Sequence, residues 1–111
     1  MQYSWKITGL KVKDAINLEG EVLPSAVVQT YWEKIGTDEN GLVGGFKGAT
    51  PFSAENVPVG EFVSFETLTE ETVLGWIQGV VTGDYEEHVN NRIQRQIDAQ
   101  TIKNVDISPW A

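Results

Sequence analysis

The stretch VVQTYWEKIGTDENGLVGGF, Val27 to Phe46, constrains the fold of this chain more than any other. Up to Ile35 the residues alternate in direction. Val27, Gln29, Tyr31, Glu33 and Ile35 share one face, and Ala26, Val28, Thr30, Trp32 and Lys34 share the other. A period of two in β-branched and aromatic residues marks a strand. Neither face is purely polar, which predicts a central strand covered on both sides. The run breaks at GTDENG, and strand-like residues resume at Leu42. Asn and Gly tolerate positive φ, and Asp bonds to its own backbone, so Asp38–Gly41 reads as the turn of an antiparallel hairpin. A calcium loop would need more than this. Asp38, Asn40 and Gly41 match only a fragment of an EF-hand, with no carboxylate at the fifth position and no closing bidentate Glu.

Strands precede helices along the chain. QYSWKIT alternates, with Tyr3, Trp5 and Ile7 on one side, and predicts a half-buried strand; the residues after it, through Gly20 and Pro24, read as strand end and connecting loop. In GLVGGFKGATPF, Gly44 and Gly45 suggest a bulge or a close backbone approach, and Pro51 ends the strand or places it at an edge. EFVSF, residues 61–65, is a candidate fourth strand. LTEETVLGWIQGVV reads as a helix over about 69–82. Thr69 is its N-cap, Glu70 and Glu71 suit the helix dipole, and Leu68 and Val73 flank the cap as a hydrophobic staple. Val73, Trp76, Ile77, Val80 and Val81 form a wide apolar arc, with Trp32 and Trp76 expected in the core where helix crosses sheet, and Gly83 is the stop signal. A second helix over about 84–100 carries one narrow stripe, Tyr85, Val89, Ile93 and Ile97. The tail, residues 101–111, holds Ile102, Val105, Ile107 and Trp110, which are too apolar for a free end. It is expected to dock, on its own body or on a neighbouring subunit. The predicted fold is α+β: one domain over 1–111, with strands within 1–66. A small, mainly antiparallel sheet of three to four strands carries two C-terminal helices on one face.

Charge and composition remove several function classes. The 8 basic residues are scattered against 16 acidic ones, a net charge of −8. Phosphate-backbone binding needs clustered Lys and Arg, so no nucleic-acid role is expected. The chain has no cysteine, which excludes disulfides, thiolate zinc sites and thiol catalysis. MQYSWKITGL lacks a long apolar run and is not expected to be a signal peptide, and no stretch suits a spanning helix, so no membrane association is expected.

Polar chemistry is sparse. His88 is the only histidine; its neighbours Glu86 and Glu87 point to other sides of the helix, and Arg92 one turn on is a poor partner for a base. Zinc would lack a second histidine. Ser4, Ser25, Ser53, Ser64 and Ser108 offer hydroxyls, none within G-x-S-x-G. GLVGGFKG lacks both the dinucleotide fingerprint and the P-loop ending. No catalytic, metal or cofactor residue is assigned. Trp5, Trp32, Trp76 and Trp110 fit core and docking roles better than base stacking in so acidic a chain.

Four segments together, VVQTYWEKIGTDENG, LTEETVLGWIQGVV, IQRQID and a terminal PW, resemble a family of small proteins of unknown function from tailed bacteriophages of marine and cyanobacterial type. The resemblance runs from Ala26 onward and is most specific in TYW…GTD and LTEE-x-VLGW. The family's tails are often richer in proline before the final Trp, whereas VDISPW has only Pro109. The resemblance implies a phage product, not an activity. The expectation is a non-enzymatic accessory or structural protein, virion-associated, acting through protein–protein contacts. Its partners would be other phage proteins or itself as a homo-oligomer. Ile107, Pro109 and Trp110 are the interaction candidates. A soluble factor binding a host protein in the infected cytoplasm is the alternative, and a small enzyme comes third.

Overall fold

The structure, a computed structural model, describes residues 1–103 and 105–110; Asn104 and Ala111, both within the expected tail, lie outside the described residues. Three antiparallel strands, β1 (Gln2–Ile16), β2 (Val22–Thr37) and β3 (Val43–Pro51), form one sheet in the order β1-β2-β3. Two α-helices follow, α1 (Glu70–Val80) and α2 (Gly83–Ala99). The fold is α+β, as the order of patterns predicts.

β1 is longer than its alternation suggests. Its pairing with β2 shifts between Ile7 and Gly9, between Lys11 and Val12, and between Lys13 and Ala15. The first puts an extra residue, Thr8, into β1, the second puts Val28 into β2, and the third sets Asp14 against Pro24 and Ser25, so neither strand keeps one period of two while the ladder continues. The register leaves out Pro24 and Ser25, and Ser25 takes φ 50° while its N–H donates to Asp14 Oδ1 at 2.9 Å. The segment expected to be a connecting loop is therefore a long hairpin. Its tip is built by buried Asn17, whose Oδ1 accepts from the N–H groups of Glu19 (3.1 Å) and Glu21 (2.9 Å).

The core lies between one face of the sheet and the helices. Trp32, Val73, Ile77, Val81, Val89, Ile93 and Ile97 form it, with Trp5, Ile7, Leu10 and Phe46 packed around them. Trp32 is fully buried; its Nε1 donates to Thr50 Oγ1 at 3.0 Å, and its ring stacks obliquely on Trp5 and Phe46. Glycine makes two close approaches possible. A Cβ on Gly44 would come within 2.6 Å of Ile93 O, and one on Gly48 would collide with the Trp32 ring. The other face of β2 is not covered as expected: Gln29, Tyr31, Glu33 and Ile35 stay half-buried, because both helices pack on the Trp32 side.

Residues 61–65 form no fourth strand. Short 3-10 turns at Val59–Glu61 and Phe65–Thr67 bracket them. Phe62 instead packs on a second small core of Leu23, Ala26 and Ala54 under the hairpin. α1 starts where the sequence places it, with Thr69 Oγ1 accepting from Thr72 N–H at 3.2 Å. Trp76, however, is 37 % exposed and Val80 lies outward. A three-stranded sheet is too narrow to cover the whole apolar arc of α1 beside α2, so the Val73–Ile77–Val81 line is buried and the Trp76–Val80 line overhangs. α2 buries Val89, Ile93 and Ile97 as predicted, and Tyr85 at the start of that stripe remains partly exposed.

The helices also close parts of both sheet edges. Ile7 N–H on the β1 edge donates to Glu70 Oε2 at 3.2 Å. On the β3 edge, Gln96 accepts from Gly45 N–H (2.8 Å) and donates to Gly45 O (2.7 Å), and Gln100 Nε2 donates to Val43 O at 2.7 Å. Side-chain amides thus occupy backbone positions that another strand would otherwise take.

Candidate functional site

The polar residues singled out in the sequence are held apart by the fold. Asp38 serves its own turn: Oδ1 accepts from Asn40 N–H at 2.9 Å and from Leu42 N–H at 2.8 Å, while Gly41 sits at φ 80°. The acidic segment joins β2 to β3. Among the described residues no group of three or more His, Asp or Glu side chains gathers at one point. His88 is exposed on the flank of α2, edge-on to Phe46 at 5.9 Å between ring centroids. Glu19 and Glu21 meet at the hairpin tip, where a hydrogen bond donated by the protonated Glu19 to Glu21, and the charge of Glu21, raise the Glu19 carboxyl above its usual range.

Among the described residues Lys34 is the one buried basic side chain, and only its place on the Trp32 face hinted at that. It is 4 % exposed. Nζ donates to Asn90 Oδ1 at 2.7 Å and lies 4.2 Å from the Tyr3 ring centroid and 4.9 Å from that of Trp5. Burial pushes its pKa down from the ordinary lysine value, and the charge of Glu86 works against that shift. The aromatic rings and the amide compensate part of the lost hydration.

The interaction candidates stand clear of the body. Ile107 is 62 % exposed and Trp110 88 % exposed, and Ile102 and Val105 are exposed as well. The described residues of the tail therefore do not pack on the body, contrary to one of the two expected forms of docking. Asp106 accepts from Ser108 through both carboxylate oxygens, from N–H at 2.9 Å and from Oγ at 3.0 Å, and Trp110 N–H donates to Ile107 O at 2.9 Å. These bonds wind Ser108–Trp110 into a single 3-10 turn, a hook on which Ile107, Pro109 and Trp110 are all exposed. The bonds from Ser108, backbone first, keep the Asp106 carboxyl below its usual range.

A second apolar feature had no signal in the sequence. A groove of about 310 Å³ opens between the distal half of the hairpin, the loop after β3 and α1, with Trp76 and Phe62 in its wall. The overhanging Trp76 packs edge-on against Phe52 at 5.8 Å.

A family described as a domain of unknown function, DUF7936, matches residues 1–110. The chain belongs to that family. The DUF7936 match runs from β1 through Trp110, so the hook is part of the family's unit and not an appendage beyond it. No curated protein and no solved structure matches the chain. Among the described residues no helix is long and apolar enough to cross a membrane.

Proposed function

We propose that this chain is a non-enzymatic accessory or structural protein of a tailed bacteriophage, working through protein–protein contacts in or near the virion. The observation that carries the proposal is the hook: an apolar Ile-Ser-Pro-Trp segment, pre-formed by its own hydrogen bonds and presented to solvent at the end of a folded domain. Exposed aromatic anchors of this kind dominate the energetics of protein interfaces. A pre-formed hook also loses less conformational entropy on binding than a disordered tail. The phage assignment is supported by the resemblance of the TYW…GTD and LTEE-x-VLGW segments. The non-enzymatic reading is supported by the separation of His88, Asp38 and the Glu19–Glu21 pair, which stand at three different places in the fold.

Mass spectrometry of purified virions tests the proposal. The chain is expected among virion proteins at a fixed ratio to the major structural components. Recovery only from the infected-cell lysate, bound to a host protein, overturns the virion location and points to a host-directed factor.

A further inference from the structure

The hook and the groove lie at opposite ends of the sheet, and each leaves apolar surface in water. Val27, Ala54, Phe62, Val63, Leu68 and Trp76 line the groove. Its volume is at the small end of the roughly 300–1,000 Å³ of ligand pockets, enough for one aromatic side chain and a neighbour. We infer that this groove receives the Ile107–Trp110 hook of a second copy of the chain; the inference rests on the protein-contact function proposed above.

Reach decides between the chain's own hook and a neighbour's. At the foot of the tail, Gln100 bonds Val43 O, and Val43 pairs with Thr37. Val27 lies ten residues back from Thr37 along β2, about 33 Å at 3.3 Å per residue. The ten residues from Gln100 to Trp110 cover about 33–36 Å only when fully extended. That leaves no length for the step from the β3 edge to the α1 side. Nor is the tail extended, since Ile102 N–H bonds Ala99 O at 3.2 Å and Trp110 N–H bonds Ile107 O at 2.9 Å. The chain's own hook falls short of its own groove, while a second copy lying alongside in the opposite direction brings hook and groove together. Area agrees with this. An aromatic side chain removes about 150–250 Å² from water when buried. Two hooks in two grooves, counting both surfaces, approach the roughly 1,000 Å² that a specific interface needs.

Light-scattering mass of the full-length wild type, Trp110→Ala and Val63→Arg tests the inference. Both positions are exposed, so each variant should fold, which circular dichroism melting verifies. Wild type is expected above single-chain mass, with each variant falling to it. A wild type at single-chain mass, or a Trp110→Ala variant that keeps the wild-type mass, overturns the inference. If Trp110→Ala lowers the mass and Val63→Arg does not, the groove is overturned as the receptor. Virion mass spectrometry reads the underlying function separately: a monomeric wild type found in virions overturns the groove assignment and leaves the protein-contact function standing.

Discussion

At the scale of single residues, Trp32 and Trp76 show how much position decides. Both sit on apolar faces in the sequence, yet one is fully buried beneath both helices and the other borders an open groove. Trp32→Ala is expected to cost about 3–5 kcal/mol, because it leaves a large cavity and takes the partner from Thr50 Oγ1. Trp76→Ala should cost less than half as much, and denaturant midpoints of the two variants check the ranking. Lys34 gives a prediction in pH. Its folded pKa lies below the unfolded value, so between the two the unfolded chain binds more protons and stability rises with pH. The window runs from the lowered folded value up to the ordinary value of 10.5. Midpoints of wild type and Lys34→Met, measured from neutral pH to pH ~10 near the unfolded lysine value, should show wild type gaining relative to the variant. Parallel curves would contradict burial as the dominant influence on Lys34.

Among the elements, the β1–β2 hairpin depends on one amide at its tip. Asn17 accepts from two turn N–H groups and donates from Nδ2 to Val57 O at 2.9 Å, tying the tip to the loop after β3. Asn17→Ala leaves these groups without a partner and is expected to cost about 1–3 kcal/mol. Hydrogen exchange should accelerate at Glu19 and Glu21 while the Trp32 region keeps its protection. Uniform acceleration along the chain would mean that the tip is no separate unit. The sheet edges show a related economy: Glu70 and Gln96 each hold a helix in place and occupy edge backbone groups at the same time.

For the whole molecule, shape is the informative quantity. Its radius of gyration is 19.9 Å with extents of 74 × 28 × 26 Å, against about 13 Å for a compact domain of this length. The excess comes from a hairpin about 50 Å long and from a tail that leaves the body. Deleting residues 108–111 should leave the denaturant midpoint of the isolated chain within about 0.5 kcal/mol of wild type, since Ile107 and Trp110 are exposed. A larger loss under conditions where the chain is a single copy would show that the tail packs on its own body after all.

What the sequence determined by itself is what acts over a few residues. The Thr69 cap, the Asp38 turn, the alternation of β2 from Gln29 to Ile35 and the Val89–Ile93–Ile97 stripe are all set by local hydrogen bonds and periodicity, and all are present as read, whereas an extra residue at Val28 takes Val27 off the Gln29 face and buries it beside Ala26. The apolar character of Ile107 and Trp110 was legible for the same reason. Tertiary structure decided the rest, because it turns on contacts between distant residues. β1 keeps its ladder through three register shifts because β2 lies beside it, which no period of two in β1 records. Lys34 is buried because α2 brings Asn90 over the sheet, 56 positions away. The half of the α1 arc that stays open, and with it the groove, follows from two helices sharing a face only three strands wide.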